Sequence, residues 1–311
     1  MSAEEKISRL RDNIRKVFIG KQETVDAIIV GLLSNGHLLI EDIPGVGKTM
    51  LAKALALSID VPFSRIQFTP DLLPSDILGV SVFSSAQDEF VFKKGPIFAN
   101  VVLADEINRT TPRTQSSLLE AMNDMQVSMD GVTYDLPRPF LVLATQNPHE
   151  FEGTYPLPES QLDRFLMRID IGYPTEEQEK QILHDQKLVH PMDSLKPVLS
   201  AGEVLELQKR VREVAMETRV SDYLVKMIHE TRRCDGIEVG ASPRASLNLY
   251  RAAQARALSE GRDYCMPDDI KALAVPILSH RLIGNARTAA NRNGSIVEIL
   301  REIVDSVRVP I

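Results

Sequence analysis

Cysteine is scarce in this sequence of 311 residues. Only Cys234 and Cys265 are present, and they lie far apart in the chain. Their separation matches neither a metal-ligand spacing nor a disulfide framework. Two free thiols, as in a protein of a reducing cytosol, are therefore expected.

An excess of positive charge is also missing. Lysine and arginine number 36 and aspartate and glutamate 43, which gives a formal net charge of −7. A nucleic-acid partner demands clustered positive charge against its phosphates. The net charge therefore gives no electrostatic argument for a nucleic-acid partner, although a local basic stripe is compatible with the same total.

Long apolar runs are absent as well. No run approaches the roughly 20 residues that span a bilayer, and residues 1–6 are polar and acidic, unlike a signal peptide. A hydrophobic fraction of 43% and a charged fraction of 25% are typical of a water-soluble globular protein. We therefore expect a cytoplasmic protein without membrane insertion.

The patterns that are present begin with short apolar runs separated by helical periodicity. Such near-continuous apolar strands indicate a parallel sheet that is covered on both faces. An amphipathic helix is predicted at 4–17, before the first strand. The predicted strands are 37–41, 64–68, 100–106, 140–145 and 165–171.

Two segments interrupt this alternation. Residues 79–95 and 126–138 alternate apolar and polar side chains, and the second contains the turn signal Asp130-Gly131. Both are predicted to be hairpins inserted into the α/β core. They either decorate the sheet or contact a partner, and the sequence leaves these two interpretations open.

The strand signal disappears after about residue 188. The chain is therefore expected to divide into an α/β core at 1–188 and an all-helical domain at 189–311. Helix start and end residues place the predicted helices at 203–217, 222–234, 243–260, 267–279 and 294–306.

A glycine-containing loop follows the first predicted strand. Gly45 and Gly47 allow backbone N–H groups to converge on phosphates, at the N-terminus of a helix that favours anions. Lys48 is expected to reach the β- and γ-phosphates of ATP, and Thr49 to ligate Mg²⁺. The general pattern has glycine where this chain has Asp42.

Polar residues end two further strands, on the side where the phosphate loop is expected. Asp105 is placed to bind Mg²⁺, and Glu106 to polarise the attacking water. Asn147 ends the next strand, where an amide can orient that water or contact the γ-phosphate. Taken alone, asparagine before proline is more often a turn residue.

Two arginines are candidates for neutralising the phosphoryl charge that develops during transfer. Arg164 and Arg244 suit this role because arginine acts on such charge in cis or in trans. On composition alone, the more common role of such an arginine is that of a surface salt-bridge residue.

Together these residues resemble the AAA+ ATPases, and most closely the MoxR family. The resemblance covers nearly the whole chain. Aspartate in place of the first glycine, as at Asp42, also resembles the pattern of this family. The resemblance implies a P-loop αβα core with a parallel five-stranded sheet, followed by an all-α lid. The runs that carry it are 40–49, 65–76, 94–100, 104–109, 144–148 and 152–165.

The resemblance also implies roles for individual residues. Lys48 and Thr49 match Walker A, and Asp105 and Glu106 match Walker B. Asn147 matches sensor one, Arg164 the arginine finger and Arg244 sensor two. Hairpin 79–95 matches the helix-two insert, and hairpin 126–138 the insert before sensor one. The expected nucleotide-binding residues, including the adenine pocket, are Ile19, Gly20, Pro44, Gly45, Val46, Gly47, Lys48, Thr49 and Met50.

A function in remodelling protein complexes is implied by the same resemblance. Proteins of this kind act as chaperone-like ATPases that mature complexes or insert cofactors. They work as homo-oligomeric rings, here expected to be hexameric, on a protein client and often with a von Willebrand factor A domain partner. A nucleic-acid motor and a non-hydrolysing nucleotide switch are the alternatives.

Overall fold

Five parallel strands form the central sheet of the structure, a computed structural model that describes residues 1–86, 88–148, 153–185, 191–285 and 295–310. The strands are β1 (Leu38–Glu41), β2 (Phe63–Gln67), β5 (Val101–Asp105), β8 (Leu141–Gln146) and β9 (Met167–Ile169). Their order across the sheet is β2-β5-β8-β1-β9, and every neighbouring pair is parallel. The predicted parallel sheet is confirmed.

The sheet is buried on both faces because successive side chains point to opposite sides. Leu38 and Ile40 of β1 belong to one apolar cluster, whereas Leu39 belongs to the other. In β5, Val102 and Ala104 likewise share the face of Leu39. Two cores on either side explain why the strands are continuous apolar runs instead of alternating ones.

Helices cover the two faces. In the first helix, Ser2 and Glu5 form a capping box, and Ile7, Leu10 and Ile14 are buried. The helices of this part of the chain are α1 (Ala3–Arg15), α2 (Gln22–Leu33), α3 (Lys48–Ser58), α4 (Pro74–Leu78), α5 (Pro112–Asp124), α6 (Glu159–Leu162) and α7 (Glu176–Asp185), with a 3₁₀ turn at Ile107–Arg109.

Both predicted hairpins are present. The first consists of β3 (Gly79–Ser84) and β4 (Glu89–Lys94), and the second of β6 (Gln126–Met129) and β7 (Val132–Asp135). They contact each other: the Phe92 ring stacks on Tyr134 at 4.3 Å between centroids, and the Ser81 hydroxyl donates to the Asp130 carboxylate at 2.5 Å. The two inserts therefore form one joined unit beside the core.

The C-terminal part is helical, as predicted, with one addition. Ile237–Val239 (β10) and Ile283–Gly284 (β11) pair as a small antiparallel sheet, so the expectation of an all-helical domain was incomplete. Strands of two and three residues are too short to show an alternating pattern. The helices are α8 (Ala201–Val211), α9 (Thr218–Arg233), α10 (Pro243–Ser259), α11 (Pro267–Leu278) and α12 (Ser295–Ser306), with 3₁₀ turns at Pro191–Ser194 and Ser279–Arg281. Residue 294 of the last predicted helix lies outside the described residues.

The two N-terminal helices link the core to the C-terminal lid. Asn13 of α1 donates to the Ser58 hydroxyl at 2.9 Å and to the Lys196 carbonyl at 3.0 Å. Gln208 of α8 donates to the carbonyl of Leu32 at 2.7 Å. One apolar cluster also runs from α1 and α2 through the sheet face into the lid. The predicted division between residues 188 and 189 falls on residues that are not described and stays a prediction.

Two expectations from the sequence concern its few cysteines and its lack of long apolar runs, and both can be compared with the structure. Cys234 and Cys265 are both free, and burial raises the pKa of the Cys265 thiol to about 12. Within the described parts of the chain, every helix is too short or too polar to cross a bilayer.

Candidate active site

The phosphate loop joins the carboxyl end of β1 to the amino end of α3. Gly45 and Gly47 have φ values of 87° and 94°, in the left-handed region that side chains other than glycine avoid. They turn the chain so that α3 begins directly at Lys48. The loop thus presents backbone N–H groups at a helix N-terminus, the arrangement that binds phosphate.

Asp42 anchors the start of this loop. Its Oδ1 accepts from the Ile43 N–H at 2.8 Å, and its Oδ2 accepts from the N–H groups of Ile171 and Gly172 at 2.6 Å each. The side chain is nearly buried. Asp42 therefore ties the phosphate loop to the segment after β9, a function that glycine at this position lacks.

Lys48 is held against the same residue. Its Nζ donates to the Asp42 carbonyl at 2.6 Å. Burial lowers the pKa of Lys48 from its ordinary value, while the carboxylates of Asp42, Asp105 and Glu106 act in the opposite direction. The ammonium group is thus surrounded by negative charge on the cavity side.

The carboxyl end of β5 carries Asp105 in an ordered setting. Its Oδ1 accepts from the Thr145 hydroxyl at 2.6 Å, and its Oδ2 accepts from Arg65 Nε at 3.1 Å and Nη2 at 2.5 Å. Thr145, on the adjacent strand β8, is buried. The positively charged Arg65 guanidinium therefore lies beside Asp105, the residue that is predicted to ligate the metal.

Glu106 follows in a left-handed conformation, with φ 57° and ψ 49°. Such a conformation is uncommon for a residue with a side chain and concentrates at functional sites. The Glu106 N–H donates to Thr145 Oγ1 at 2.9 Å, so this one hydroxyl bridges both acidic residues. The Glu106 carboxylate accepts from Gln67 Nε2 at 2.6 Å and from Arg109 Nη1 at 3.1 Å.

A cavity of about 330 Å³ brings the predicted phosphate-side residues together. The Thr49 hydroxyl and the Asp105 carboxylate are hard oxygen donors of the kind that Mg²⁺ prefers alongside phosphate oxygens and water. Among the described residues, no group of three or more His, Cys, Asp or Glu side chains that could hold a metal ion is found. The lining includes Pro44, Gly45, Gly47, Lys48, Thr49, Met50, Asp105, Glu106 and Asn147.

A second cavity, of about 160 Å³, adjoins the first and shares Gly45, Gly47 and Met50 with it. Ile19 and Gly20 line it, as does Val46, and its other walls are mainly apolar. An apolar cavity next to a phosphate loop suits a nucleobase. The structure therefore brings all of the predicted nucleotide-binding residues to two joined cavities.

Arg164 and Arg244 lie elsewhere. They share a cavity of about 190 Å³ with residues 34–37, at the amino end of β1, opposite the phosphate loop. Arg244 Nη2 donates to the Asn123 Oδ1 at 2.6 Å. Neither arginine lines the phosphate-side cavity of its own chain. The structure thus places these two residues in one cavity, apart from the other predicted catalytic groups.

Three further residues of the site were missed from the sequence: Arg65, Gln67 and Thr145. Arg65 and Gln67 are two positions apart on β2, and so point to the same side, where Arg65 Nη2 also donates to Gln67 Oε1 at 3.0 Å. Their polarity at a strand end was the available signal. It was not decisive because the sequence does not state that β2 lies beside β5.

Comparisons with known families agree with this geometry. The model of the ATPase family associated with various cellular activities (AAA) matches residues 37–167. The AAA lid domain matches residues 229–303. Both matches fall on the α/β core and the helical lid described above.

Similar proteins cover almost the entire chain. An uncharacterised protein, YeaC of Bacillus subtilis, is 48% identical over 96% of this chain and 93% of its own length. Chaperone MoxR1 of Mycobacterium tuberculosis is 40% identical over 96% and 80%. A solved structure from Cytophaga hutchinsonii, described as a candidate ATPase, superimposes with a TM-score of 0.91 at 38% identity and covers 99% of this chain and 96% of that one. The chain therefore belongs to the MoxR family of AAA+ ATPases.

Proposed function

We propose that this protein hydrolyses Mg-ATP, with the reaction centred on the cavity between the phosphate loop and the end of β5. The observation that carries the proposal is the convergence of Lys48, Thr49 and the pair Asp105-Glu106 on one cavity. A protein that only binds nucleotide needs the phosphate loop, but it does not need a carboxylate beside the loop to polarise an attacking water.

Each residue then has a distinct part. The N–H groups of the loop and Lys48 bind and orient the phosphates, and Thr49 with Asp105 would hold Mg²⁺. When bound, the ion neutralises charge on the phosphate oxygens. Glu106 orients and polarises the attacking water, and Asn147 contacts that water or the γ-phosphate. If Asp105 is to ligate Mg²⁺ through Oδ2, the Arg65 guanidinium must move away from that oxygen atom or share it with the ion.

Arg164 and Arg244 enter the mechanism from a neighbouring subunit in this proposal. Both lie at the amino end of the sheet and do not line their own chain's phosphate cavity. A homo-oligomeric ring, hexameric by family resemblance, brings that end of one copy to the phosphate loop of the next. Arg164 then stabilises the charge of the transition state in trans.

Substitution of Glu106 by glutamine tests the assignment of hydrolysis. We expect Glu106→Gln to bind ATP with nearly unchanged affinity while turnover falls on the order of 10³-fold, as for loss of a principal group in phosphoryl transfer. Phosphate release and equilibrium binding of a fluorescent ATP analogue measure the two quantities. Glu298→Gln, at an exposed position of α12, is the matched control. Equal turnover in the variant and the wild type would contradict the proposal.

The biological role that we propose is chaperone-like remodelling of a protein client in the cytoplasm, with a von Willebrand factor A domain protein as co-worker. Two observations support it: the relative from Mycobacterium tuberculosis is named a chaperone, and the β3–β4 hairpin exposes Phe83 by 50% and Phe90 by 73%. These rings stack edge to face at 5.5 Å. Maturation of complexes or cofactor insertion is the form of remodelling that the family resemblance implies.

A trapping experiment tests this role. Glu106→Gln with ATP should retain client proteins from a lysate of the source cells, and Phe83→Ser/Phe90→Ser in the same background should lose them. Val239→Ser, an exposed apolar residue of the lid, is the control and should retain them. Stimulation of turnover by DNA or RNA instead of by a retained protein would favour the nucleic-acid motor. Normal ATP binding with no turnover in the wild type would favour the non-hydrolysing switch.

A further inference from the structure

The most deeply buried arginine described in the lid makes an unusual set of contacts. Arg281 ends the 3₁₀ turn Ser279–Arg281, and its side chain is only 2% exposed. Burying a guanidinium is costly unless its charge and all of its N–H groups find partners. The identity of those partners therefore indicates what the buried charge does.

Four of its five hydrogen bonds go to one short segment of the core. Nε donates to the Asp163 carboxylate at 2.8 Å, and Nη2 donates to the carbonyls of Asp163, at 3.3 Å, and Phe165. Nη1 donates to the carbonyl of Leu166 at 3.0 Å and to that of Ile277 in the lid itself. A guanidinium has five N–H groups in a rigid fork, and here each has an acceptor.

The segment that Arg281 binds is the one that carries Arg164. Asp163 and Phe165 are the two neighbours of Arg164 in the chain, and Arg281 does not line the cavity that Arg164 shares with Arg244. His280 adds a further contact to the same segment, because its Nε2 lies 3.2 Å from the Phe165 carbonyl. The lid thus fixes the backbone on both sides of Arg164 from a position 115 or more residues later in the sequence.

We propose that Arg281 is a positioning residue for Arg164: the lid, through Arg281, sets the conformation of segment 163–166 in which Arg164 reaches the nucleotide of the neighbouring subunit. The proposal rests on the function proposed above, in which Arg164 acts in trans. In this proposal, the position of Arg164 in the neighbouring subunit's site depends on the position of the lid in the subunit that donates Arg164. Arg281 itself touches no substrate.

The physical basis is the small tolerance of a charge-stabilising contact. A displacement of about 1 Å of a group that orients a reaction costs on the order of 10² in rate. Without Arg281, the carboxylate and carbonyl of Asp163 and the carbonyl of Leu166 lose this donor, and the Phe165 carbonyl keeps only its contact with His280. The segment must then find other partners. Turnover should therefore fall on the order of 10²-fold, while the affinity of the subunit's own site for ATP stays the same.

Mixed assemblies separate positioning from general damage. Arg281→Met has an intact phosphate site but a misplaced Arg164, whereas Lys48→Ala has a defective phosphate site and an intact Arg164. Diluting Arg281→Met into an excess of Lys48→Ala should restore turnover per intact site to the level of wild type diluted in the same way. Arg164→Ala diluted likewise is the reference for trans action.

A control variant tests for mere loss of stability. Arg262 forms a two-pronged ion pair with the buried Asp269 inside the lid, with N–O distances of 2.8 and 2.7 Å. Arg262→Met should lower the free energy of unfolding yet keep the turnover of the folded protein within a few-fold of wild type. If circular dichroism shows that Arg281→Met does not fold, Asp163→Asn weakens the same ion pair from the core side and takes its place in every arm.

The outcomes are distinguishable. Restoration of both Arg164→Ala and Arg281→Met by Lys48→Ala supports the inference. Restoration of Arg164→Ala alone, or wild-type turnover in undiluted Arg281→Met, overturns it while leaving the proposed function intact. Failure to restore Arg164→Ala overturns trans action and the inference together.

Discussion

The two ends of the central sheet differ in the chemistry that they hold. At the carboxyl end, a phosphate loop and Lys48 line one cavity with the carboxylates of Asp105 and Glu106, which we propose to be the site of Mg-ATP. At the amino end, Arg164 and Arg244 line another cavity with residues 34–37. In the proposed mechanism, the first end binds the phosphates and activates the attacking water, and the second supplies the arginine that neutralises the charge of the transition state.

This difference has a consequence for how the chain works. In the proposed mechanism, a single copy carries both halves of a phosphoryl-transfer site, and these halves lie at opposite ends of β1. A head-to-tail assembly would bring together the two halves of different copies. The four predictions below test the division between the two ends, beginning with the largest expected effect.

Substitution of Arg164 by alanine should abolish turnover while sparing nucleotide binding. The expected loss is on the order of 10³-fold, because the positive group would be missing from the neighbour's transition state. Steady-state phosphate release and ATP-analogue binding measure these effects, with Arg301→Ala on the exposed side of α12 as the control. Specific activity of the wild type should also rise with protein concentration. A turnover independent of both dilution and Arg164 would remove the amino end from the mechanism.

Substitution of Asp42 by glycine should damage the carboxyl end, although it restores the residue of the general phosphate-loop pattern. Three backbone N–H groups lose their acceptor, at a cost of about 2–4 kcal/mol in the free energy of unfolding. Urea unfolding measures the loss. Asp60→Gly is the control, since Asp60 is exposed at φ 53° and glycine there changes stability by less than about 1 kcal/mol. An Asp42→Gly protein as stable as wild type would refute the anchoring role.

Substitution of Thr145 by valine keeps the shape of the side chain but removes the hydroxyl that bridges Asp105 and Glu106. Turnover should fall by about 10- to 50-fold, because the loss of a buried hydrogen bond of roughly 1–3 kcal/mol frees the Glu106 backbone. The apparent Mg²⁺ requirement should rise with it, since Asp105 loses a partner. Measurements of kcat against Mg²⁺ concentration follow both effects. Thr133→Val, in the exposed part of the second hairpin, should behave like wild type.

The pH dependence of stability should report on the amino end. His37 Nδ1 accepts from the Val142 N–H, and Nε2 lies against the Met122 carbonyl, each at 3.1 Å, which requires the neutral ring. Burial lowers the pKa of His37 from 6.5 to about 4. The unfolded chain therefore binds more protons between pH 6.5 and 4, and stability falls as the pH falls through that window.

The expected size is about 1 kcal/mol between pH 7.5 and 5.5, rising to about 3 kcal/mol below pH 4. His37→Gln should remove this part of the slope in urea unfolding measured across the same range. His280, whose pKa is also lowered by burial, contributes in the same direction and remains in the variant. An unchanged slope in His37→Gln would contradict the assignment.

Much of the carboxyl end was predictable from the sequence. Its residues come in contiguous runs, such as Gly45–Thr49 and Asp105-Glu106, at the junctions of elements whose apolar patterns are strong. Local order and strand direction are enough to place them at one edge. Arg65 and Gln67 escaped because their meaning depends on β2 lying beside β5, which no local pattern states.

The amino end was less accessible for the same reason. The family resemblance supplied roles for Arg164 and Arg244, but their joint separation from the phosphate loop emerged only from the fold. Arg281 carries no local signal at all: it follows a helix in the lid, and four of its five hydrogen bonds go to acceptors that lie 115 to 118 residues earlier. The short strands β10 and β11 were missed because two or three residues cannot display a period.

By itself, the sequence determined the parallel sheet, the helical lid, the two hairpins and the residues of the phosphate loop, because backbone geometry and burial impose periodic patterns on neighbouring residues. The tertiary structure alone decided that Asp42 anchors the loop, that Thr145 joins two carboxylates and that Arg281 holds the segment of Arg164. Each of these depends on contacts between elements that are distant in the chain. The physical reason is that a buried charge or hydroxyl is satisfied by whichever groups folding brings within about 3 Å, and sequence order does not specify them.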